Sequence, residues 1–450
     1  MQALSLQIAV GQPRAQALLR RLLASALRAV DPSAAVRRHV ARRGYIVSVG
    51  DQRYDLRRYR RVVVVGAGKA AVPMAVALEE LLGPQLDSGL VVVKYGHGAG
   101  TTRIGLVEAG HPVPDRAGQQ AAARLLTFVR GLSSRDLLFV LLSGGASSLL
   151  PAPAPGLRLA DKQRATRLLL RSGATIQELN TVRKHLSTMK GGRLAAATPA
   201  RIVTLILSDV IGDDLGSIGS GPTAPDPTTY AQACAILRRR GVWNSLSRRV
   251  QIHLLLGARG MRTESPKPAS GLFRRVQNQI VGNNRAAVDA LADAAARSGI
   301  RPLVLSTSMI GEAREAARLF GAIAREIVIN GRPLSRPACV IAGGELTVTV
   351  RGKGLGGRAQ EFALAAAQEI AGLSNVWIIA FGTDGTDGPT DAAGAVVDGQ
   401  TLARAKRRGV NLVEALEQND AYHCFKKLHG LIVSGPTGTN VNDLYLLLVL

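Results

Sequence analysis

Apolar residues in this chain come in short unbroken runs rather than in strict alternation. Arg61-Val-Val-Val-Val65 leads into Gly66-Ala-Gly-Lys69, and Leu90-Val-Val-Val93 into Lys94-Tyr-Gly-His97. Leu137–Leu142 leads into Ser143-Gly-Gly-Ala-Ser-Ser148, and Ile202–Leu207 into Ser208-Asp209. Pro302–Leu305, Cys339–Ile341 and Val376–Phe381 repeat the theme. Runs without a polar face predict strands buried on both sides, and the helical patterns between them predict α/β layers built on parallel sheets. Ala70–Leu82 reads as a helix. Leu18, Leu19, Leu22, Leu23, Ala26, Leu27 and Val30 fall at helical spacing and predict a packed N-terminal helix, followed by Asp31-Pro32 as the cap and first-turn proline of the next. Leu444–Leu450 is far too short to cross a bilayer and reads as a last strand.

A chain of 450 residues exceeds one ordinary core. The polar stretch Arg259–Ser270, with Gly260, Pro266 and Pro268, marks the expected boundary between domains at 1–260 and 270–450. No run reaches the roughly 18 apolar residues of a membrane span, so no membrane partner is expected. Cys234, Cys339 and Cys424 are too scattered for a disulfide framework or a zinc site, which fits a reducing, cytoplasmic setting. The formal net charge of +25 is spread in arginine doublets such as Arg20-Arg21 and Arg57-Arg58. A nucleic-acid binder would more often show one basic stripe with interleaved aromatics, so no nucleic-acid partner is expected. The excess instead suits small polyanions such as nucleotides and phosphate esters. Residues 1–30 hold four arginines (Arg14, Arg20, Arg21, Arg28) and no acid, as a targeting segment does, but their apolar spacing favours a packed helix.

Candidate chemistry collects where strands end, which is where open α/β sheets bind ligands. Gly66-Ala-Gly68-Lys69 lacks the spacing of a Walker A loop, and the strand after it ends at Lys94 instead of the acid a nicotinamide dinucleotide site needs. A lysine at a helix N-terminus suits phosphate or carboxylate. Ser143, Gly144, Gly145, Ser147 and Ser148 form a second strand-to-helix turn, read as an anion nest. Arg183, Lys190 and Arg193 crowd a third basic turn, which suits a phosphorylated ligand or a solvated helix face. Asp209 directly follows a buried strand, a usual place for a base or metal carboxylate in phosphoryl transfer. Arg358, in Gly-Gly-Arg, opens a helix and suits a bidentate clamp on a carboxylate or phosphate. Asp384, Asp387 and Asp391 share the loop Gly382–Gly394, where like charges need a cation or ligand donors between them, and Thr437 and Asn440 lie in another polar turn.

Read in order, these strings resemble the glycerate 2-kinase family, whose C-terminal part is called MOFRL. The strings are Gly-Ala-Gly-Lys-Ala (66–70), Leu-Ser-Gly-Gly-Ala-Ser-Ser-Leu (142–149), Asn-Thr-Val-Arg-Lys-His-Leu-Ser (180–187), Lys-Gly-Gly-Arg-Leu (190–194), Ser-Asp-Val-Ile-Gly-Asp-Asp (208–214), Gly-Ser-Gly-Pro-Thr (219–223), Gly-Gly-Arg-Ala-Gln-Glu (356–361), the loop 382–394 and Gly-Pro-Thr-Gly-Thr-Asn-Val-Asn-Asp (435–443). The resemblance implies a Rossmann-like doubly wound N-terminal domain, a C-terminal α/β domain with a mixed sheet, and an active site in the cleft between them. It implies transfer of the ATP γ-phosphoryl group to the 2-hydroxyl of D-glycerate with Mg²⁺. Lys69 and Arg358 match the residues put forward as key in the family. The expected arrangement has these two facing each other, Asp209 orienting the hydroxyl, and Asp384 and Asp387 holding Mg²⁺. Gly66, Gly68, the 143–148 turn, Arg183, Lys190, Arg193, Thr437 and Asn440 would bind substrate or nucleotide. Some relatives carry the label hydroxypyruvate reductase, so NAD(P)H-dependent reduction is the rival activity. A monomer or homodimer is expected.

Overall fold

The computed structural model describes residues 6–9, 11–98 and 100–450. The chain forms two compact units, 32–281 and 1–31 together with 282–450. The first is built on β1 (Arg61–Ala67), β2 (Ser88–Lys94), β3 (Ile104–Ala109), β4 (Asp136–Leu142), β5 (Arg201–Leu207) and β6 (Val276–Gly282). Their order in the sheet is β3-β2-β1-β4-β5-β6. All registered pairs from β3 to β5 are parallel. The chain moves outward from β1 through β2 and β3, then returns to the other side of β1 with β4 and β5. The strand order thus reverses between β1 and β4, and this switch point opens a crevice at the strands' carboxyl ends. β1, β4 and β5 are buried along nearly their whole length, as unbroken apolar runs require. A small antiparallel sheet, Val40–Arg43, Ile46–Val49 and Gln52–Asp55, precedes them.

The other unit carries β7 (Arg301–Met309), β8 (Ala338–Gly344), β9 (Val376–Gly382), β10 (Gly394–Asp398), β11 (Leu431–Ile432) and β12 (Asp443–Val449). Their order is β7-β8-β12-β9-β10-β11, with β7 parallel to β8 and the other pairs antiparallel. This is the mixed sheet that the family resemblance implied. The terminal run, β12, lies at the centre of the sheet, with Asp443 between Gly344 and Gly382. Phe320, Phe362 and Tyr445 pack edge-on and tilted in the core beside it.

The expected domain limits of 1–260 and 270–450 differ from these units at two places. The helix Pro13–Ala29 buries Leu19, Leu22, Leu23, Ala26 and Leu27 and packs on the helix Asn284–Ala296, with Ser25 Oγ donating to the Ala290 carbonyl. Residues 260–281 stay with the first unit because β6 joins its sheet, although Val276-Gln-Asn-Gln-Ile lacks the apolar run that marks its neighbours. The described part of 1–30 is thus a packed helix, as its spacing predicted; residues 1–5 and 10 lie outside the described residues. No helix among the described residues is long and apolar enough to cross a membrane. Leu22→Ala and Leu23→Ala each remove a fully buried side chain and should cost about 2–5 kcal/mol in urea unfolding. A helix serving only as a targeting tail would leave the midpoint unchanged.

Candidate active site

In the first unit, β1 and β4 approach so closely at their carboxyl ends that side chains cannot fit between them. A Cβ on Gly68, whose φ is +143°, would lie 2.0 Å from Ser143 Oγ. The two loops are pinned together: Lys69 N–H donates to the Gly144 carbonyl at 2.8 Å, and Ala70 N–H to Ser143 Oγ at 3.0 Å. Ser143, 1% exposed, is therefore a clamp holding the lysine loop, and not the ligand hydroxyl it was expected to be. Gly66 and Gly68 likewise serve the close packing of the two strands. What this packing delivers to the crevice is Lys69, at the start of the helix Ala71–Leu82. Its Nζ makes no hydrogen bond or ion pair among the described residues.

Around it stand Asp209, from the end of β5, and His111, from the end of β3. A Cβ on Gly144 would lie 2.3 Å from Asp209 Oδ2, and one on Gly145 would lie 2.9 Å from the His111 ring and 3.5 Å from Lys69 Cγ. The structure therefore brings Lys69, Gly144, Gly145 and Asp209 together, as the sequence led one to expect, and adds His111. Burial, then Lys69 and Lys94, push the His111 imidazole down to about 4, so it is neutral at physiological pH. Sequence reading missed His111 because nothing in His-Pro-Val-Pro separates it from a plain turn.

Beside this crevice lies a cavity of about 390 Å³, lined by Ser147, Ser148, Lys162, Arg183 and Lys190 and walled by Pro112, Val113, Pro151 and Leu170. Lys190 is held by Ser147 O at 3.0 Å, Ser147 Oγ at 2.9 Å and Gly219 O at 3.4 Å. Burial, then Lys162 and Arg183, depress its pKa. Lys162 was not anticipated; it looks like one more charge on an amphipathic helix until its neighbours are known. The third expected cation, Arg193, points elsewhere, donating to the Thr263 carbonyl and Tyr230 hydroxyl. Of the basic run before it, Lys184 pairs with buried Asp226 and His185 with Glu264.

In the second unit, Arg358 begins the helix Arg358–Glu369 and forks onto Asp443, with Nε–Oδ2 at 2.5 Å and Nη2–Oδ1 at 3.3 Å, while Nη1 reaches Glu345 Oε1 at 2.8 Å. Burial works against its charge, but Asp443 and Glu345 outweigh that and hold the guanidinium protonated. Burial pushes the Asp443 carboxyl up, and Arg358 pulls it back; Tyr445 Oη donates to it at 3.0 Å. Asp443 escaped the site residues chosen from sequence although it ends the last quoted string.

Asp387 departs from its expected part as a metal ligand. Its two oxygens accept Ala359 N–H at 3.0 Å and Gln360 N–H at 2.8 Å, so it caps the Arg358 helix. Burial pushes this carboxyl up to about 7 against those two donors. Asp384 accepts from Thr386 N and Oγ1, Asp391 from Tyr422 Oη, and each is partly or fully exposed, so the three acids of the loop are separated by local donors. No group of three His, Cys, Asp or Glu side chains among the described residues is placed to hold a metal. Thr437 Oγ1 donates to the Thr383 carbonyl, and Asn440 Oδ1 accepts Asn442 N–H, fixing the neighbouring turn.

Comparison with known proteins settles the ancestry. Residues 18–255 match the family described as "Domain of unknown function (DUF4147)", and residues 338–443 match the MOFRL family. The glycerate 2-kinase of Pyrococcus horikoshii is 40% identical over 95% of this chain and 96% of its own. The chain belongs to the glycerate 2-kinase family. The crystal structure of the glycerate kinase of Thermotoga maritima has a TM-score of 0.87 and 40% identity, covering 98% of this chain and 100% of that one. A protein of Agrobacterium vitis named putative hydroxypyruvate reductase is 42% identical over 97% of this chain and 94% of its own.

Asp387→Ala strips the N-terminus of the Arg358 helix of its acceptor and should cost about 1–2 kcal/mol in urea unfolding with EDTA present. A carboxylate whose purpose was to bind metal would show no such loss in metal-free buffer.

Proposed function

We propose that the chain is a glycerate 2-kinase, transferring the γ-phosphoryl group of ATP to the 2-hydroxyl of D-glycerate. The observation that carries this reading is Lys69, an unneutralised cation at the switch point of a parallel sheet, in a chain whose relatives of nearly equal length bear that name. Phosphoryl transfer asks the protein for positioning and charge, with little covalent chemistry. Lys69 supplies a full positive charge at a helix N-terminus, where the migrating group's oxygens are best stabilised. Asp209, packed against Gly144, orients the acceptor hydroxyl and takes its proton as the new P–O bond forms. Neutral His111 keeps a second proton acceptor beside Lys69 without adding positive charge. Arg358, its guanidinium fixed by Asp443 and Glu345, acts in the same reaction as a positioned charge, with part of its surface left for substrate.

Mg²⁺ would arrive with the nucleotide and spread the charge of its phosphates. The residues fit that form of binding better than a protein cage: a nucleotide-borne Mg²⁺ needs one or two carboxylates, and Asp384, partly exposed, would supply one. Buried, unpaired Cys234, Cys339 and Cys424 fit work in a reducing compartment such as the cytoplasm. The reductase reading is disfavoured by Lys94, which ends β2 where an acid would hold the ribose of a nicotinamide dinucleotide.

The test is ADP release from D-glycerate and ATP·Mg, with the product identified by NMR and NADH plus hydroxypyruvate as the control. The wild type should yield 2-phosphoglycerate and no NADH oxidation. Lys69→Ala should lower kcat by about 10²–10³-fold while the melting curve stays within a few degrees. Arg358→Lys keeps the charge but loses the fork, and should lower kcat by about 10²-fold. A loss of tenfold or less would reduce Arg358 to a point charge.

A further inference from the structure

The 390 Å³ cavity of the first unit is lined, among the described residues, by four cations, the exposed Arg167 and the buried or half-buried Lys162, Arg183 and Lys190, and by no acid. Lys162 is 8% exposed, and its one hydrogen bond, to the Ala152 carbonyl, is long at 3.4 Å. The adjacent Asp161 is turned away: it accepts Arg158 N–H at 2.9 Å and lies 3.9 Å from Arg249. Arg183 makes no hydrogen bond or ion pair among the described residues, although burial depresses its pKa. Lys190 has its three N–H donors spent on Ser147 and Gly219. Desolvated like charges without a counter-charge are costly, and such an arrangement is maintained when a ligand provides the missing anion.

The division of donors tells how that anion sits. Lys190, held by Ser147 and Gly219, forms the floor of the cavity, whereas Lys162 and Arg183 retain free N–H groups for direct bonds. Pro112, Val113, Pro114, Pro151 and Leu170 make the apolar part of the wall, with Gln163 and Thr166 among them. A site of this size, mostly apolar with a few convergent charges, suits a drug-sized ligand carrying both a flat apolar part and an anionic part. Glycerate, with about seven non-hydrogen atoms, would fill only a small part of it and leave the apolar wall uncovered.

We propose that this cavity is the nucleoside triphosphate site, with the phosphates bonded by Lys162 and Arg183 in the field of Lys190 and the base laid along Val113, Pro151 and Leu170. The assignment rests on the kinase reading for the identity of the ligand, and on the cavity alone for its chemistry. Ser147, whose backbone and hydroxyl oxygens hold Lys190, lies two residues beyond Gly145, against which Lys69 packs, so the phosphate chain runs from the cavity toward Lys69. Burial, with Arg183 adding to it, brings the Lys162 ammonium down to about 7. A polyanion raises that value again, so binding between pH 7 and pH 9 takes up protons. Arg167 and Arg183 face the same cavity but stay outside this exchange because guanidinium does not titrate there, whereas Lys190, whose pKa burial also depresses, contributes to the uptake beside Lys162.

The probe is a non-hydrolysable ATP analogue with Mg²⁺, followed by calorimetry at pH 8 in buffers of different ionisation enthalpy. Lys162→Met replaces a desolvated charge by an apolar chain of similar length and should fold as well as the wild type. The expected results are an analogue Kd weakened about 10- to 150-fold, a proton uptake smaller than that of wild type, and an unchanged KM for glycerate. Thr166→Trp, on the cavity rim, should block the analogue without touching the cations and covers the case in which Lys162→Met fails to fold. Undiminished analogue binding in both variants overturns the proposal. So does a raised glycerate KM with analogue binding intact, which would make this the acid-substrate site. If wild type binds the analogue through Lys162 yet makes no 2-phosphoglycerate, the cavity assignment stands and the kinase reading falls.

Discussion

The chemistry of the first unit depends on one steric constraint, the approach of β1 and β4 to within backbone contact at their carboxyl ends. Gly66 packs against the Leu141 carbonyl and Gly68 against Ser143, where any Cβ would collide at 2.6 Å and 2.0 Å respectively. Because the strands touch there, the loop that carries Lys69 can bond to the loop that carries Gly144. Because Gly144 has no side chain, the Asp209 carboxylate can lie against that loop. Gly66 and Gly68 are thus accounted for by strand packing. They set the spacing that lets three strand ends present a cation, a carboxylate and a neutral imidazole in one place.

Buried charge is paired in both units, in the first by Lys184 with Asp226, but the charges near the candidate site differ. In the second, Arg358, Glu345, Asp443 and Asp387 are each satisfied, by one another or by the first N–H groups of the Arg358 helix. That network keeps a guanidinium in a fixed orientation, which is what pre-organised electrostatic catalysis needs. In the first, Lys162 and Arg183 are desolvated and left with donors to spare, which is the basis of the proposed anion site. A protein that hydrolysed ATP whenever it met water would gain nothing from both arrangements; one that assembles a transfer reaction needs a rigid charge and an unsatisfied pocket together.

Much of this was legible in the residues. The unbroken apolar runs marked β1, β2, β4, β5, β7, β8, β9 and β12 and put Lys69, Gly144 and Asp209 at strand ends, while β3 and β10, which carry no such run, were not read as strands. Three kinds of feature were hidden. The helix of residues 13–29 joins the distant second unit, a contact that no reading along the chain reveals. β6 carries Gln277, Asn278 and Gln279, and without an apolar run its strand character comes from the sheet it completes. Asp387 looks like a metal ligand as part of an acidic loop and becomes a helix cap once the Arg358 helix is seen to start beside it. Lys162 and Asp443 were invisible for a related reason: their importance lies in the absence or presence of a partner, and partners are set by the fold.

The proposed reaction places phosphate chemistry at the switch point between β1 and β4. A crystal structure with the ATP analogue, Mg²⁺ and D-glycerate would locate it. The γ-phosphate should lie within hydrogen-bonding distance of Lys69 Nζ, at the carboxyl ends of β1 and β4. Triphosphate density at the opposite edge of that sheet, with Lys69 still without a ligand, would contradict it.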